Sequence, residues 1–247
     1  MKLLLFPHSH FCEKARWALD YKNIEYEPVA VFPGLHRRTI RNIAPGSSLP
    51  VLVTDTGAIQ GSNEIIDYLD ELVAVRPLTL AAPAVRDECR ELERRFDAQL
   101  GVPVRQILYA SLLDHPAFIR RCFTHTMPPW KRACYPLVAA PLRRAIDAAY
   151  VHSPAAVDAA RAAFGQTMSE LAERLDPAGY LVANTFTRAD LALAALLSLL
   201  ALPPEHPFPW GEVPPSAARD FIEAYRDHPV SRWVRRIYRE HRKPPPG

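Results

Sequence analysis

An α/β N-terminal domain followed by an all-α helical C-terminal domain is the fold class that the sequence predicts. Three observations carry it. Strand and helix patterns alternate only within about the first 75 residues, strand signal nearly vanishes beyond them, and a chain of 247 residues has room for two ordinary domains. The expected division is 1–75 for the α/β domain, 76–83 for a linker and 84–247 for the helical domain.

The first element is the short apolar run Leu3-Leu4-Leu5-Phe6, closed by Pro7, which reads as a buried strand. Ser9 then stands as an N-cap, and Cys12, Ala15 and Leu19 share one face of the helix that follows. Ile24 to Val31 reads as a second strand, with Pro28 pointing to a sheet edge. Phe32 to Ser48 is a polar connection with room for a short helix. Val51-Leu52-Val53 and Ala58-Ile59-Gln60 flank the turn Asp55-Thr56-Gly57 and predict a hairpin. Ser62 is expected to cap a helix carrying Ile65, Ile66, Leu69 and Leu72 at helical spacing.

Beyond the linker, Val85, Cys89, Leu92, Phe96 and Leu100 mark an amphipathic helix, which Gly101 and Pro103 should end or kink before it continues over 104–113. Further helices are expected from about Pro116, after the Met127-Pro128-Pro129-Trp130 interruption, and over 155–175. Thr187 with Asp190 forms a capping-box pattern ahead of the nearly all-apolar stretch 191–202, the expected core of the helical domain. Two more helices are expected near 216–225 and 230–241. The 25 prolines should cut the helices into segments.

Composition narrows the function classes. The formal charge is +3, from 30 basic and 27 acidic residues, too small to argue for a nucleic-acid partner. No apolar run is long enough for a membrane span, and the apolar start is too short for a signal peptide, so a cytoplasmic protein is expected. Cys12, Cys89, Cys122 and Cys134 have neither disulfide-framework nor zinc-ligand spacing, and no metal is expected.

The candidate centre is the stretch from Phe6 to Leu19. A helix start offers unsatisfied N–H groups and a positive dipole end, suited to an anion or a thiolate. Taken alone, Ser9 is a helix cap. In context, the element order, Ser9 at the first strand-to-helix turn, Leu49-Pro50 before the third strand, and Ser62-Asn63-Glu64-Ile65-Ile66-Asp67-Tyr68-Leu69 opening the next helix together resemble the cytosolic glutathione transferases, as a serine-type member of bacterial kind. The likeness covers about residues 1–75, and the Thr187-Arg188-Ala189-Asp190 box is similar to that family's helical-domain signature.

The resemblance implies a thioredoxin-like first domain that binds glutathione as co-substrate. In that likeness Ser9 is catalytic, donating a hydrogen bond to the glutathione sulfur. Pro50 is in the cis form, Leu49 and Val51 flank it, and the Val51 backbone pairs with the cysteinyl unit. Gly61, Ser62 and Asn63 would face the γ-glutamyl group, with Ser62 on its carboxylate. The family commonly has Glu, Asp or Gln directly before that serine. Here Gly61 stands there, which leaves Gln60, Glu64 or another chain to meet the ammonium. Phe11, Tyr109, Phe123, Met127 and Trp130 are the candidates for the pocket of a small hydrophobic electrophile, Phe11 being the best placed. Conjugation for detoxification by a homodimer is the expected function. A non-catalytic ligand-binding or interaction protein of the same fold and a glutathione-dependent thiol oxidoreductase using Cys12 are the alternatives. His8 and His10 are expected on a loop surface or behind the site.

Overall fold

The computed structural model describes residues 1–242, so residues 243–247 of the expected helical domain lie outside the described residues. The α/β part runs β1 (Lys2–Leu5), α1 (His10–Tyr21), β2 (Glu27–Ala30), α2 (His36–Arg41), β3 (Val51–Thr54), β4 (Gly57–Gln60) and α3 (Ser62–Leu72). Its sheet has the order β2-β1-β3-β4. β1 pairs with β2 in parallel, Leu4 opposite Val29, and with β3 antiparallel, Leu4 opposite Val51. A βαβ crossover builds the parallel pair and the Asp55-Thr56-Gly57 turn builds the hairpin, so the topology follows from connection length. Pro28 lies in the edge strand β2, where its missing N–H removes no inner ladder bond.

α1 and α3 pack on one face of the sheet, where Leu3, Leu5, Ala15, Leu19, Leu52, Ile65 and Leu69 are buried in a core shared with the helical part. The other face holds a smaller cluster of Leu4, Val31, Ile40 and Val51 under α2. Alternation along β1 and β3 sends successive side chains to the two faces.

The helical part comprises α4 (Pro83–Phe96), α5 (Val102–Leu112), α6 (Pro116–Thr124), α7 (Pro129–Ile146), α8 (Pro154–Arg174), α9 (Arg188–Leu196), α10 (Ser198–Ala201), α11 (Ala217–Ala224) and α12 (Pro229–His241). A π-helical turn, Asp97–Gly101, joins α4 to α5, so the expected break is a widening of the helix. Pro103 has no N–H to add to the ladder, and the wider turn takes up its ring. α7 carries Pro136 and Pro141 within its length, where proline had been expected to divide helices. Every residue of α9 is buried, which makes it the centre of this half.

Buried charge ties the halves together. Lys14 of α1, fully buried, reaches Glu93 at 3.0 Å, Asp97 at 2.8 Å and the side chain of Asn63 at 2.7 Å. Arg188 meets the other oxygen of Glu93 at 2.6 Å, pairs with Asp67, and donates to the Asn63 carbonyl at 3.2 Å. A buried ion repays its desolvation only when its partners are close and well placed, as these are. Next to Lys14 on α1, Glu13 meets Arg242 at 2.7 Å, and one turn on Trp17 donates to the His241 carbonyl. The end of α12 is thereby fastened to the α/β part.

Candidate active site

The turn between β1 and α1 places Ser9. Its N–H donates to the Phe6 carbonyl at 3.0 Å, and its Oγ accepts from the Cys12 N–H at 3.4 Å. That bond uses an Oγ lone pair, and the Ser9 hydroxyl also lies against the Cys12 thiol.

The two histidines flanking Ser9 moor this turn to the helical part. His8 donates from Nδ1 to the Cys122 carbonyl of α6, and His10 from Nε2 to the Gly101 carbonyl of the π-helical turn, each at 2.9 Å. Burial lowers the His8 pKa to about 4 and the His10 pKa to about 3, so both rings are neutral at pH 7. His10 is therefore core and not loop surface. Gly101 permits the approach, because a Cβ there would lie 2.7 Å from Leu196 and 2.9 Å from Phe11.

Ser9 opens onto a cavity of about 500 Å³ between the two halves. Phe6, His8, His36 and the segment Ser47-Ser48-Leu49 line its α/β side, while Arg105, Tyr109, Phe118, Phe123, Leu142, Tyr150 and Trp210 are among the residues on the helical side. Rings stack around its floor, with Phe123 edge-on to Phe6 at 5.1 Å and to His8 at 4.5 Å.

Among the expected pocket residues, Tyr109 and Phe123 line this cavity. Phe11, Met127 and Trp130 do not. The Phe11 ring sits between His10, 4.6 Å away, and Arg105, and packs toward Gly101, because its place on α1 turns it into the interface between the halves. Met127 is buried in the turn before α7, and Trp130 is 65% exposed on the first turn of that helix. Helical spacing gives the face of a residue but not what the face meets, so sequence reasoning missed Phe118, Leu142, Tyr150 and Trp210. It also missed Arg105, an arginine on a largely apolar helix, the one local signal available.

The Leu49–Pro50 peptide is cis. The Pro50 carbonyl accepts from the Gly61 N–H at 3.1 Å, and Val51, fully buried, is paired in β3 opposite Gln60. The cap of α3 is Gly61, at φ 111°, and not Ser62 as expected. Only glycine readily takes that conformation, which moves the helix start one residue back. Ser62 is the first helical residue, buried, and its hydroxyl donates to the Asn63 side chain at 3.3 Å. Asn63 is taken up by Lys14 and Asp97 (the latter 3.0 Å away), which turns its amide into the ionic network. Beside Gly61, a Cβ at that position would lie 1.9 Å from Oε2 of Glu64, so the Glu64 carboxylate occupies the space of the absent side chain.

Cys12 is buried, 2% exposed, and burial raises its pKa. Among the described residues no group of three or more His, Cys, Asp or Glu is arranged to hold a metal ion, and no helix is long and apolar enough to cross a membrane.

The model of the glutathione S-transferase N-terminal domain matches residues 3–77, the segment that carries Ser9, cis-Pro50 and the start of α3. Residues 3–77 thus carry a glutathione S-transferase N-terminal domain. A curated relative, glutathione S-transferase TCHQD of Arabidopsis thaliana, is 26% identical over 216 residues, 82% of this chain and 77% of that protein. Among solved structures, the β-etherase LigF of Sphingobium sp. strain SYK-6 superposes with a TM-score of 0.67 at 21% identity, covering 96% of this chain and 94% of that one. A glutathione S-transferase of Methylobacterium radiotolerans, solved in complex with glutathione sulfonate, gives 0.61 at 18% identity over 100% and 96% of the two chains. At these identities the structural likenesses speak for the glutathione transferase fold alone, a thioredoxin-like domain joined to a helical one.

Proposed function

We propose that the protein is a glutathione transferase that joins the glutathione sulfur to the electrophilic carbon of a hydrophobic acceptor. One observation carries the reading: the Ser9 turn, Leu49 beside the cis proline and the apolar walls of α5, α6 and α7 all border the same cavity. In this reading residues 1–75 bind the tripeptide and residues 84–247 supply the acceptor pocket, with 76–83 between them. The Ser9 hydroxyl donates a hydrogen bond to the sulfur, and the first-turn N–H groups of α1 add a positive field. Both favour the thiolate, the nucleophilic form of a thiol whose ordinary pKa is about 8.5. The thiolate and the acceptor carbon then react within one enclosed site, where proximity supplies much of the rate.

The γ-glutamyl end lies along the cis-Pro50 turn and the start of α3. There the Ser62 N–H and hydroxyl meet the carboxylate, and the Glu64 carboxylate, standing where a side chain of residue 61 would be, meets the ammonium. That position of Glu64 supports glutathione as the ligand. The burial and raised pKa of Cys12 speak against thiol–disulfide exchange through it. A reducing, cytoplasmic setting, consistent with four unpaired cysteines, and a homodimer belong to the same reading.

Two measurements test it. Millimolar glutathione should raise the melting temperature by mass action, and the absence of any shift would reject glutathione as ligand. Ser9→Ala should lower kcat/KM for a chromogenic electrophile by about tenfold or more, the weight of a hydrogen bond to a charged atom, and should raise the pKa of the bound thiol. An unchanged rate and thiol pKa would remove Ser9 from the mechanism.

A further inference from the structure

Arg105 stands out in the cavity. It projects from α5 into a site whose other walls are mostly aromatic and aliphatic, and no aspartate or glutamate lines that site. Its Nε is buried without a hydrogen-bond partner, and among the described residues its guanidinium forms no hydrogen bond or ion pair. Rings hold it instead, with Tyr150 at 4.1 Å and Phe11 at 5.5 Å from its central carbon. Planar rings fix its position through cation–π contact but leave its N–H donors unsatisfied.

The second cation at the cavity, Arg37, is exposed on α2 at the opposite rim. Arg37 is open to solvent, whereas Arg105 is half-buried with its Nε shielded. His8 and His10 are neutral at pH 7 and offset nothing. A partly desolvated cation with free donors in an apolar chamber costs free energy until an anion meets it. Here the complementary guest has an apolar body and one carboxylate-like end.

We propose that Arg105 selects anionic acceptors, aromatic or branched-chain electrophiles carrying a carboxylate, by a forked ion pair within the cavity. The inference rests on the transferase reading for the chemistry but not for the binding preference. With an aryl chloride acceptor, the thiolate sulfur forms the new bond to the ring carbon, the carbon–chlorine bond breaks, and chloride leaves with the electron pair. Arg105 takes no part in that exchange and only holds the carboxylate.

The first arm measures binding without glutathione. The quenching of tryptophan fluorescence, Trp210 being in the cavity wall, is titrated with biphenyl-4-carboxylate and with its uncharged carboxamide. The wild type should prefer the carboxylate by about tenfold or more, and Arg105→Met should abolish the preference while Arg105→Lys keeps part of it. The second arm compares kcat/KM for 4-chloro-3-nitrobenzoate and 4-chloro-3-nitrobenzamide in the wild type and in Arg105→Met, so that intrinsic reactivities cancel in the ratio. The third arm measures the glutathione-induced shift in melting temperature for both proteins.

Equal affinity of the wild type for carboxylate and carboxamide overturns the proposal, and so does a preference that Arg37→Met removes and Arg105→Met does not. If Arg105→Met lowers the glutathione shift and leaves acceptor preference intact, Arg105 binds a carboxylate of glutathione and the proposal fails. A carboxylate preference in the first arm with no glutathione shift in the third would retain the anion site and reject the transferase reading.

Discussion

Acidification should weaken the fold through His10, whose ring moors the Ser9 turn. That ring is 3% exposed and its Nε2–H donates a hydrogen bond to the Gly101 carbonyl at 2.9 Å. Burial, with the nearby Arg105 charge adding to it, lowers its pKa to about 3. In the unfolded chain it titrates near the ordinary value of about 6.5. The folded value is the depressed one, so as the pH falls the unfolded state takes up a proton first. The stability contributed by the neutral ring is complete above about pH 6.5 and is lost progressively below it. At about pH 5 the gap of roughly 1.5 pH units, at about 1.4 kcal/mol each, gives a loss on the order of 2 kcal/mol.

The assay is urea denaturation near pH 7.5 and pH 5 of the wild type and of His10→Gln. The Gln amide can donate to the same carbonyl but does not titrate. Between the two pH values the wild type should lose roughly 2 kcal/mol more than the variant. His8 and His206, both lowered to about 4 by burial, titrate in both proteins and cancel in the comparison. Equal losses in wild type and variant would refute the assignment of this acid sensitivity to His10.

Two other perturbations probe the interface and the cradle. Lys14→Met leaves Asp97 without its buried cation and Glu93 with Arg188 alone, and should destabilise the protein by about 3–5 kcal/mol in denaturant titrations, while adding Asp97→Asn should recover part of the loss. A change below about 1 kcal/mol would show that the network relaxes around the missing ammonium. Glu64→Gln should raise the KM for glutathione severalfold and leave the KM for the acceptor unchanged, and steady-state kinetics with each substrate varied in turn would expose an error in that assignment.

Much of the architecture was legible because local rules generate it. Pro7 ends β1, Ser9 caps α1, the Asp55-Thr56-Gly57 turn closes a hairpin, and the apolar run from Leu191 admits no exposed face. These signals depend on residues a few positions apart, and the sequence carries that information directly. Cap assignment at α3 failed for a local reason as well, because the positive φ of Gly61 makes it the cap and Ser62 the first helical residue.

The lining of the candidate cavity was legible only on its α/β side. Ser9 and Leu49 can be found from strand, turn and helix order, and both border the cavity. The opposite wall is assembled from α5, α6, α7 and the segment around Trp210, which meet Ser9 across separations near one hundred residues or more. Phe11 shows the limit plainly. Its position beside Ser9 suggests a pocket residue, yet the pitch of α1 turns its ring toward Gly101, away from the cavity.

By itself the sequence determined the order of strands and helices, the class of each half and the serine at the first helix start, since periodicity, caps and turns are properties of neighbouring residues. Tertiary structure decided the rest. It buried His10 against the Gly101 carbonyl, set Lys14 and Arg188 on the same Glu93, and left Arg105 without a carboxylate in an apolar chamber. Desolvation and ion pairing depend on which groups packing brings together and on how much water it removes, and no local pattern encodes either quantity.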